Sequence, residues 1–480
     1  MRDDRIRFLA DVPVPTTLRS LFVLACFSIV GLRLVGQRFR IDVVRCTSWP
    51  PVAERLLLCG LFLVCVGLLW FAWQRLLRLS EAGQVSFRAA LGVVLACHGA
   101  ALLVPPFLSD DPLFYVAIGR ALHTPHATAQ TPLLEALGPQ DEVLKLLPAH
   151  WQIGTSAYQT GFHALAWAIE AIPNLSVSGR LSVYQGLSCA AVVGASVLAA
   201  QCSPQANRPR SFGLLFVGLS PLALVEGTVS AHNDVWLLLL WALVAFLWTT
   251  QPSRAKRAWA LGLVPLGLAV KLSAALPAGL WAVSLVRKRF PKQYRLLHWG
   301  AGVLCVAGAL LLWAAHTGRL GGQVSSVLLG SRTLPWDLCT RSLECLPRAV
   351  LRYVFLRADA SYAVGLLVRL LAGLWLVKVA WTEANALSAV GVGVFGYFLY
   401  FHGWAQTWYF LPVLPLWLFL SPRRRRAFEV LCLSGCGYYA LALFRNCVVE
   451  PWQVAVCELV EGVATVLPPT VAWVAKEKPC

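Results

Sequence analysis

The sequence predicts an all-α polytopic integral membrane protein, on three observations. Of 480 residues, 58% are hydrophobic and only 13% are charged, whereas a soluble domain carries about 25% charged residues. Apolar runs recur along the whole chain, and many approach the ~20 residues that a helix needs to cross a bilayer. The loops between these runs are short and rich in Lys and Arg.

The basic loops also bear on possible partners. A net charge of +18 would suit a nucleic-acid-binding domain if the positive residues were collected on one soluble face. They lie instead in short loops such as "QPSRAKR" and "SPRRRR", a distribution typical of cytoplasmic loops that contact anionic headgroups. We therefore predict the lipid bilayer as a partner and no nucleic acid.

Hydropathy predicts about 13 to 14 transmembrane helices. They lie near 20–36, 55–73, 88–107, 181–200, 211–227, 234–250, 258–272, 275–286, 297–316, 361–380, 385–402, 406–420, 427–444 and 453–474. The first run lacks a small-residue cleavage site, so it is predicted as a span and not as a removed signal. Most of the 15 cysteines lie in these runs as small hydrophobes; only Cys339 and Cys345 share a polar loop and are placed to pair.

The segment 156–173 decides the topology. If it spanned the membrane, four basic loops would lie outside, against the charge rule. We predict instead an amphipathic helix that lies at the interface or re-enters. With a cytoplasmic N-terminus, loops 108–180 and 317–360 are then extracytoplasmic. Loop 37–54, which carries three arginines, falls outside as well and is an exception to the charge rule.

Two adjacent carboxylates in "FLSDDPLFYVAIGR" stand at the start of the first long outside loop. Asp110 or Asp111 at the mouth of a membrane cavity is placed to act as a general base toward a hydroxyl. The alternative is a helix start, with Ser109 or Asp110 as N-cap and Pro112 in the first turn. Both roles are open, one acid capping and the other reacting.

A second polar cluster, "SAHNDVW", begins a predicted span on the same face. His232, Asn233 and Asp234 offer a donor, an amide and an acceptor, and Glu226 adds a carboxylate nearby. This set suits sugar hydroxyls. A divalent metal ion is the minor alternative because the ligand spacing is weak for zinc, and capping by Asp234 alone is the third.

Two further segments contribute candidate residues. Lys271, near the exit of a short span, is predicted to meet an anion such as a lipid phosphate, unless it only snorkels to the interface. In "HGWAQTWYF", His402 and Gln406 are unexpected in an interfacial aromatic belt and suit a sugar or headgroup site. Loop 317–360 carries arginines that either clamp a phosphate or are ordinary surface charges: Arg332, Arg341 and Arg348.

Four stretches, in this order, resemble the GT-C glycosyltransferases of the bacterial mannosyltransferase-like branch: "SDDPLFYVAIGRAL", "SPLALVEGTVSAHNDVWLLLL", "GLAVKLSAALPA" and "QTWYFLPVLPL". The resemblance covers residues 85–425, between N-terminal membrane helices at 1–84 and C-terminal membrane helices at 426–480. It implies a GT-C-like helical bundle. The chain departs from the family pattern in the substrate loop, with "HTPHATAQTP" in place of Asn-Pro-Tyr and "AYQTG" in place of Tyr-Gly-Pro or Tyr-Pro-Pro.

The resemblance implies roles for individual residues. Asp110 or Asp111 would be the catalytic base, with Lys271 near the carrier phosphate. His232, Asn233, Asp234 and Gln406 would line the sugar site. Apart from the resemblance, the further candidate substrate-binding residues are Tyr115, Arg120, Tyr158, Glu226, His402, Trp408 and Tyr409.

The function that the resemblance implies is transfer of a hexose, with mannose favoured, from a polyprenyl-phosphate carrier. The acceptor would be an extracytoplasmic glycan, lipid or protein, and the anomeric centre would invert. We expect a plasma (inner) membrane enzyme of the cell envelope with no certain cofactor, a divalent metal ion being the one considered. The alternatives are a lipid or sugar transporter or flippase, which should show internal repeats and unwound spans, and a non-catalytic envelope subunit.

Overall fold

A computed structural model describes most of the chain, namely residues 16–39, 52–106, 108–156, 158–250, 253–289, 358–402, 406–445 and 451–474. Within these ranges the chain forms helices and turns and no strand. Several sequence predictions fall outside the described residues: the span 297–316, the pairing of Cys339 with Cys345, and the phosphate clamp by Arg332, Arg341 and Arg348.

The helices fall close to the predicted spans. The N-terminal half contains α1 Thr16–Phe39, α2 Val52–Glu81, α3 Phe87–Ala101, α4 Asp111–His123, α5 Leu133–Leu137, α6 Ala149–Gln152, α7 Thr160–Glu170, α8 Val177–Cys202 and α9 Arg210–Gly218. The rest contains α10 Asp234–Thr249, α11 Arg254–Val270, α12 Ala275–Arg289, α13 Ala358–Thr382, α14 Ala386–Gly396, α15 Pro422–Arg445 and α16 Pro451–Val474.

Three of these helices are long and apolar enough to cross a membrane, at Thr16–Gly36, Leu56–Glu81 and Val177–Ala206. A fourth span is formed if α9 and the π-helix Ala223–Val229, bent by 60°, count as one. Six further apolar helices are shorter. The chain is thus an α-helical membrane protein, while the full count of 13 to 14 crossings stays a prediction.

Side chains set several helix starts. Ser86, Ser176, Ser253 and Asn385 each stand before a helix and accept a hydrogen bond from the backbone N–H three residues later. Such caps satisfy one of the unpaired N–H groups of the first turn.

The segment 156–173 forms the short helix α7, which is consistent with the non-spanning prediction. Its 11 residues extend over about 16 Å, whereas the hydrocarbon core is about 30 Å thick. The helix packs closely on α4, because a Cβ at Gly119 would lie 2.7 Å from the carbonyl oxygen of Ala166. This close approach holds α7 against α4 within the segment 108–180.

The ends of several segments lie close together, as contacts between their end residues show: Lys271 with Asp234, His232 with Asp111, and Thr407 with Glu226. The α9–π segment leads to the turn 230–233, α10 leads away from it, and α11 returns to Lys271. The π-helix Tyr397–Phe401 ends at His402, and the 3-10 helix Thr407–Phe419 departs from the same end. The polar motifs therefore meet at one end of the bundle, which we call the site end.

Candidate functional site

The acidic pair lies at the start of α4, but its side chains do not cap the helix. Asp110 occupies the N-cap position without a side-chain capping bond. The hydroxyl of Ser109 instead accepts a hydrogen bond from the backbone N–H of Asp111 at 3.2 Å. Asp110 is half-buried, and no described group donates a hydrogen bond to its carboxylate. Capping therefore does not account for either carboxylate.

Asp111 is buried and joins a chain of charged groups through His232. Nδ1 of His232 lies 3.1 Å from Oδ2 of Asp111, and Nε2 lies 3.3 Å from Oε2 of Glu226, within ion-pair range although out of line for a hydrogen bond. The imidazole ring stacks on Trp408 with centroids 3.9 Å apart and planes at 15°. Because a carboxylate faces each ring nitrogen, both nitrogens carry a proton.

The charge on His232 reflects two opposed effects. Complete burial disfavours the imidazolium, but Asp111 and Glu226 outweigh burial and raise the pKa of His232 to about 9. The ring lies in the turn between the π-helix and α10, outside both segments. It is therefore an imidazolium at neutral pH.

Irregular backbone places Glu226 and His232. Glu226 lies in the π-helix Ala223–Val229, after the 60° bend, and Ala231 adopts the left-handed conformation with φ of +49°. Such a φ is strained for alanine, and strained residues cluster at functional sites. The carboxylate of Glu226 accepts hydrogen bonds from Tyr439 OH at 2.8 Å and from the Thr407 hydroxyl.

Lys271 lies beside the same turn and pairs with Asp234. Its Nζ is 2.6 Å from Oδ2 of Asp234 and 3.5 Å from Oδ1 of Asn233, and it lies 4.6 Å from the ring centroid of Tyr409. Nδ2 of Asn233 and Oδ1 of Asp234 are buried with no hydrogen-bond partner among the described residues. Buried polar atoms normally have partners, so this donor and acceptor are suited to a polar ligand.

Aromatic rings connect the acidic pair with the turn. The hydroxyl of Tyr115 donates to Oδ2 of Asp111 at 3.5 Å and accepts from the backbone N–H of Asn233 at 3.1 Å. Tyr158 packs edge-on against Tyr115 at 5.3 Å, and Lys271 Nζ lies 6.0 Å from the centroid of Tyr158. Tyr115 is therefore a link between α4 and the turn 230–233.

The structure brings together most of the residues predicted from the sequence. They are Asp110, Asp111, Tyr115, Tyr158, Glu226, His232, Asn233, Asp234, Lys271, Trp408 and Tyr409. His402 packs against Tyr397 and Tyr409, with ring centroids 5.4 and 6.0 Å away. Gln406 is buried where the 3-10 helix begins.

Arg120 belongs to a different cluster. Its guanidinium pairs with Asp141 at 3.0 Å, Glu142 at 2.6 Å and Glu170 at 3.5 Å. Glu170 also pairs with Arg180 at 2.6 Å. These contacts connect α4, α7 and the segment between them, so the substrate contact predicted for Arg120 would compete with three carboxylates.

Two residues of the site gave no signal in the sequence. Tyr439 and Thr407 hold Glu226, yet Tyr439 lies in the apolar run of α15 and Thr407 within an aromatic stretch. Their partner is 213 residues away for Tyr439 and 181 for Thr407. No local pattern marks contacts of this range.

The residues do not fit a divalent metal ion held through His232. Carboxylates occupy both ring nitrogens, so neither offers a lone pair. Over the described part of the chain, no group of three or more His, Cys, Asp or Glu side chains is arranged to hold a metal. We therefore derive no chemistry through a metal ion.

The site end combines the carboxylate of Asp110, which does not cap a helix, with Lys271 and with buried amide, carboxyl and aromatic groups. It is suited to removing a proton from a hydroxyl beside a polar, anionic ligand. Comparison with protein families, curated proteins and solved structures finds no match to this chain.

Proposed function

We propose that this chain is a membrane glycosyltransferase that moves a hexose, with mannose favoured, from a polyprenyl-phosphate carrier to an extracytoplasmic hydroxyl acceptor. The observation that carries the proposal is the position of Asp110. Its carboxylate caps no helix, has no described hydrogen-bond donor, and adjoins the buried cluster formed by Asp111, His232, Asp234 and Lys271. The resemblance of four stretches to GT-C enzymes supports the same reaction.

Asp110 is assigned as the general base. Asp111 is engaged by His232 and Tyr115, whereas the carboxylate of Asp110 is open to an acceptor. Partial burial and the neighbouring charge of Asp111 raise the pKa of Asp110 to about 6. A base works best with a pKa near the operating pH.

In the proposed reaction, the acceptor oxygen attacks the anomeric carbon while its proton passes to Asp110. The bond from the anomeric carbon to the phosphate oxygen breaks, and the carrier phosphate leaves. One displacement inverts the anomeric centre. Trp408, Tyr409 and the unpartnered atoms of Asn233 and Asp234 would contact the sugar.

The departing phosphate needs positive charge, which this cluster supplies only in part. The cluster has four carboxyl groups, at Asp110, Asp111, Glu226 and Asp234, against the cations His232 and Lys271. We propose that Lys271 contacts the phosphate, while the phosphate clamp predicted for loop 317–360 stays a prediction from the sequence. Its arginines, named above, lie outside the described residues.

Transfer by purified protein in detergent tests the proposal. The protein would be mixed with polyprenyl-phosphate [³H]mannose and a glycolipid acceptor extract, and labelled product would be separated from donor. Detergent abolishes compartments, so product formation requires catalysis and not transport. Donor crossing proteoliposomes without product in detergent would instead support a flippase.

One observation favours the second candidate function, a flippase. Transporters use interrupted helices near their binding sites, and the α9–π segment is bent by 60° beside the cluster. The same irregular segment carries Glu226 and leads to His232. The detergent assay therefore separates the two functions.

A further inference from the structure

We infer that Glu226 is a positioning residue that acts on the acidic pair through His232, in a buried carboxylate–imidazolium–carboxylate chain from Glu226 to Asp111. The inference rests on the proposed function, because it assigns Glu226 a role in the same reaction. It differs from the sequence prediction, in which Glu226 and His232 contact substrate directly.

The series of charged groups from Glu226 through His232 to Asp111 is held in place at Glu226, the end far from the acidic pair. Tyr439 on α15 and Thr407 on the 3-10 helix both donate hydrogen bonds to Glu226. The three elements come from distant parts of the sequence, so tertiary packing holds this carboxylate. A carboxylate fixed by two donors is a rigid support for the imidazolium beside it.

Burial excludes a direct contact between these two side chains and a substrate in this arrangement. Glu226 and His232 are each 0% exposed. Trp408 covers one face of the imidazole, and both ring nitrogens face carboxylates. Any influence on the reaction must therefore pass through Asp111, which lies next to Asp110.

The imidazolium sets the position of Asp111. Nδ1 of His232 and the hydroxyl of Tyr115 both contact Oδ2 of Asp111, which fixes the carboxylate at the first turn of α4. If Glu226 lost its charge, His232 would keep one carboxylate partner in place of two. Burial would then favour the neutral ring, and its hold on Asp111 would weaken.

Charged and titratable groups surround the chain on every side. From α4 they are Asp110, Asp111 and Tyr115; from the loop before α7, Tyr158; from α10, Asp234; from the end of α11, Lys271; and from α15, Cys436 and Tyr439. Within this group of described residues, Lys271 is the cation besides His232, and it already pairs with Asp234.

Glu226→Gln tests the inference, because glutamine keeps the shape and one acceptor while it removes the charge. We expect kcat to fall about ten- to a hundred-fold with little change in the KM of the donor, as for misplaced catalytic groups. The His232 imidazolium is present below its pKa of about 9 and lost above it. The alkaline limb of the pH–rate profile should therefore move to lower pH in the variant.

A double-variant cycle with His232→Gln separates positioning from general structural damage. If Glu226 acts through His232, the loss from Glu226→Gln should largely disappear in the His232→Gln background. Tyr439→Phe keeps the charge of Glu226 and removes one hydrogen bond, so it should cost less than Glu226→Gln. Tyr439→Phe also tests the inference if Glu226→Gln does not fold, because an unchanged kcat in Tyr439→Phe would count against the inference.

A readout independent of transfer distinguishes this inference from the proposed function. NMR of histidine-labelled protein, with the His232 signal identified by its loss in His232→Gln, should show titration near pH 9 and a lower midpoint in Glu226→Gln. Wild-type protein that shows no transfer but gives this titration would defeat only the proposed function. An unchanged midpoint, or additive losses in the cycle, would overturn the inference.

Discussion

The two ends of the helical bundle both gather charged side chains from distant parts of the sequence, but they treat the charges differently. The site end holds the cluster of Asp110, Asp111, Glu226, His232, Asp234 and Lys271. The opposite end, here the basic end, holds Glu81, Arg208, Glu383, Arg424, Arg425 and Glu429.

At the basic end, each charge has a partner of opposite sign, and the pairs range from partly exposed to buried. Arg208 pairs with Glu81, and the two side chains are 24% and 32% exposed. Partly exposed pairs of this kind contribute about 0 to 1 kcal/mol each. Arg424 lies 2.6 Å from Glu383, whose carboxylate is buried and also accepts a hydrogen bond from Ser388. Arg425 is more buried, but it has two carboxylates near it, Glu429 at 3.3 Å and Glu81 at 3.5 Å.

At the site end, the charges are buried and do not balance. Glu226, His232 and Asp234 are at most 1% exposed, and Asp234 and Asn233 keep polar atoms without described partners. Buried charge is weak support for stability, so such a cluster points to function. Ion pairs occur at both ends, so pairing alone does not identify a functional site. Burial of charged groups together with polar atoms that have no described partner does.

The largest expected difference between the two ends is the side of the membrane that each faces. On a background without the 15 native cysteines, a cysteine at Ala127 should react with an impermeant maleimide in intact cells, and one at Arg424 should not. Both should react in broken cells. Shielding at 127 with labelling at 424 would reverse the orientation.

The next effect is on catalysis at Asp110. Asp110→Asn should lower kcat about 10²- to 10⁴-fold, because the side-chain amide of asparagine cannot take a proton from the acceptor hydroxyl. The thermal midpoint should hold, since this side chain caps nothing. Wild-type activity should rise with pH through about 6, as the carboxyl of raised pKa ionises, and this limb should vanish in Asp110→Asn.

Asp111→Asn is the matched comparison for that variant. Asp111→Asn breaks the ion pair with His232, so it should lower stability more than Asp110→Asn does. Its loss of transfer rate should be the smaller of the two. If both variants transferred sugar at the normal rate, the acidic pair would have no catalytic role.

Lys271 should show a smaller effect on donor use. Lys271→Met alone leaves the buried carboxylate of Asp234 unpaired, and breaking a buried pair costs about 3–5 kcal/mol of stability. Lys271→Met combined with Asp234→Asn should regain most of that stability. Donor binding should still weaken by about 1.5–3 kcal/mol, the contribution of one charge-assisted hydrogen bond. A double variant with normal donor affinity would make the lysine purely structural.

The smallest effect belongs to the basic end. Arg208→Gln removes a partly exposed ion pair with Glu81, which keeps Arg425 as a partner, so we expect a loss of about 1 kcal/mol or less and normal transfer. Chemical unfolding and the detergent assay would measure both. A loss of transfer comparable to that of the Lys271 double variant would erase the distinction between the two ends.

Hydropathy was sufficient to place most helices. The predicted spans 181–200 and 234–250 correspond to α8 at Val177–Cys202 and α10 at Asp234–Thr249. Apolar runs are a local property, because each backbone group in a lipid-facing helix is satisfied within its own segment. The candidate residues were found for a related reason, since polar side chains in an apolar sequence are costly and stand out.

Contacts between distant segments had no such local signal. The sequence did not predict the 60° bend before Glu226 or the left-handed Ala231, and it left open whether Ser109 or Asp110 accepts the hydrogen bond at the start of α4. It also left open which acid has a partner. Asp111 meets His232, 121 residues away, only because α4 and α10 both pack against α8. A hydrogen bond across that separation depends on geometry that composition does not encode.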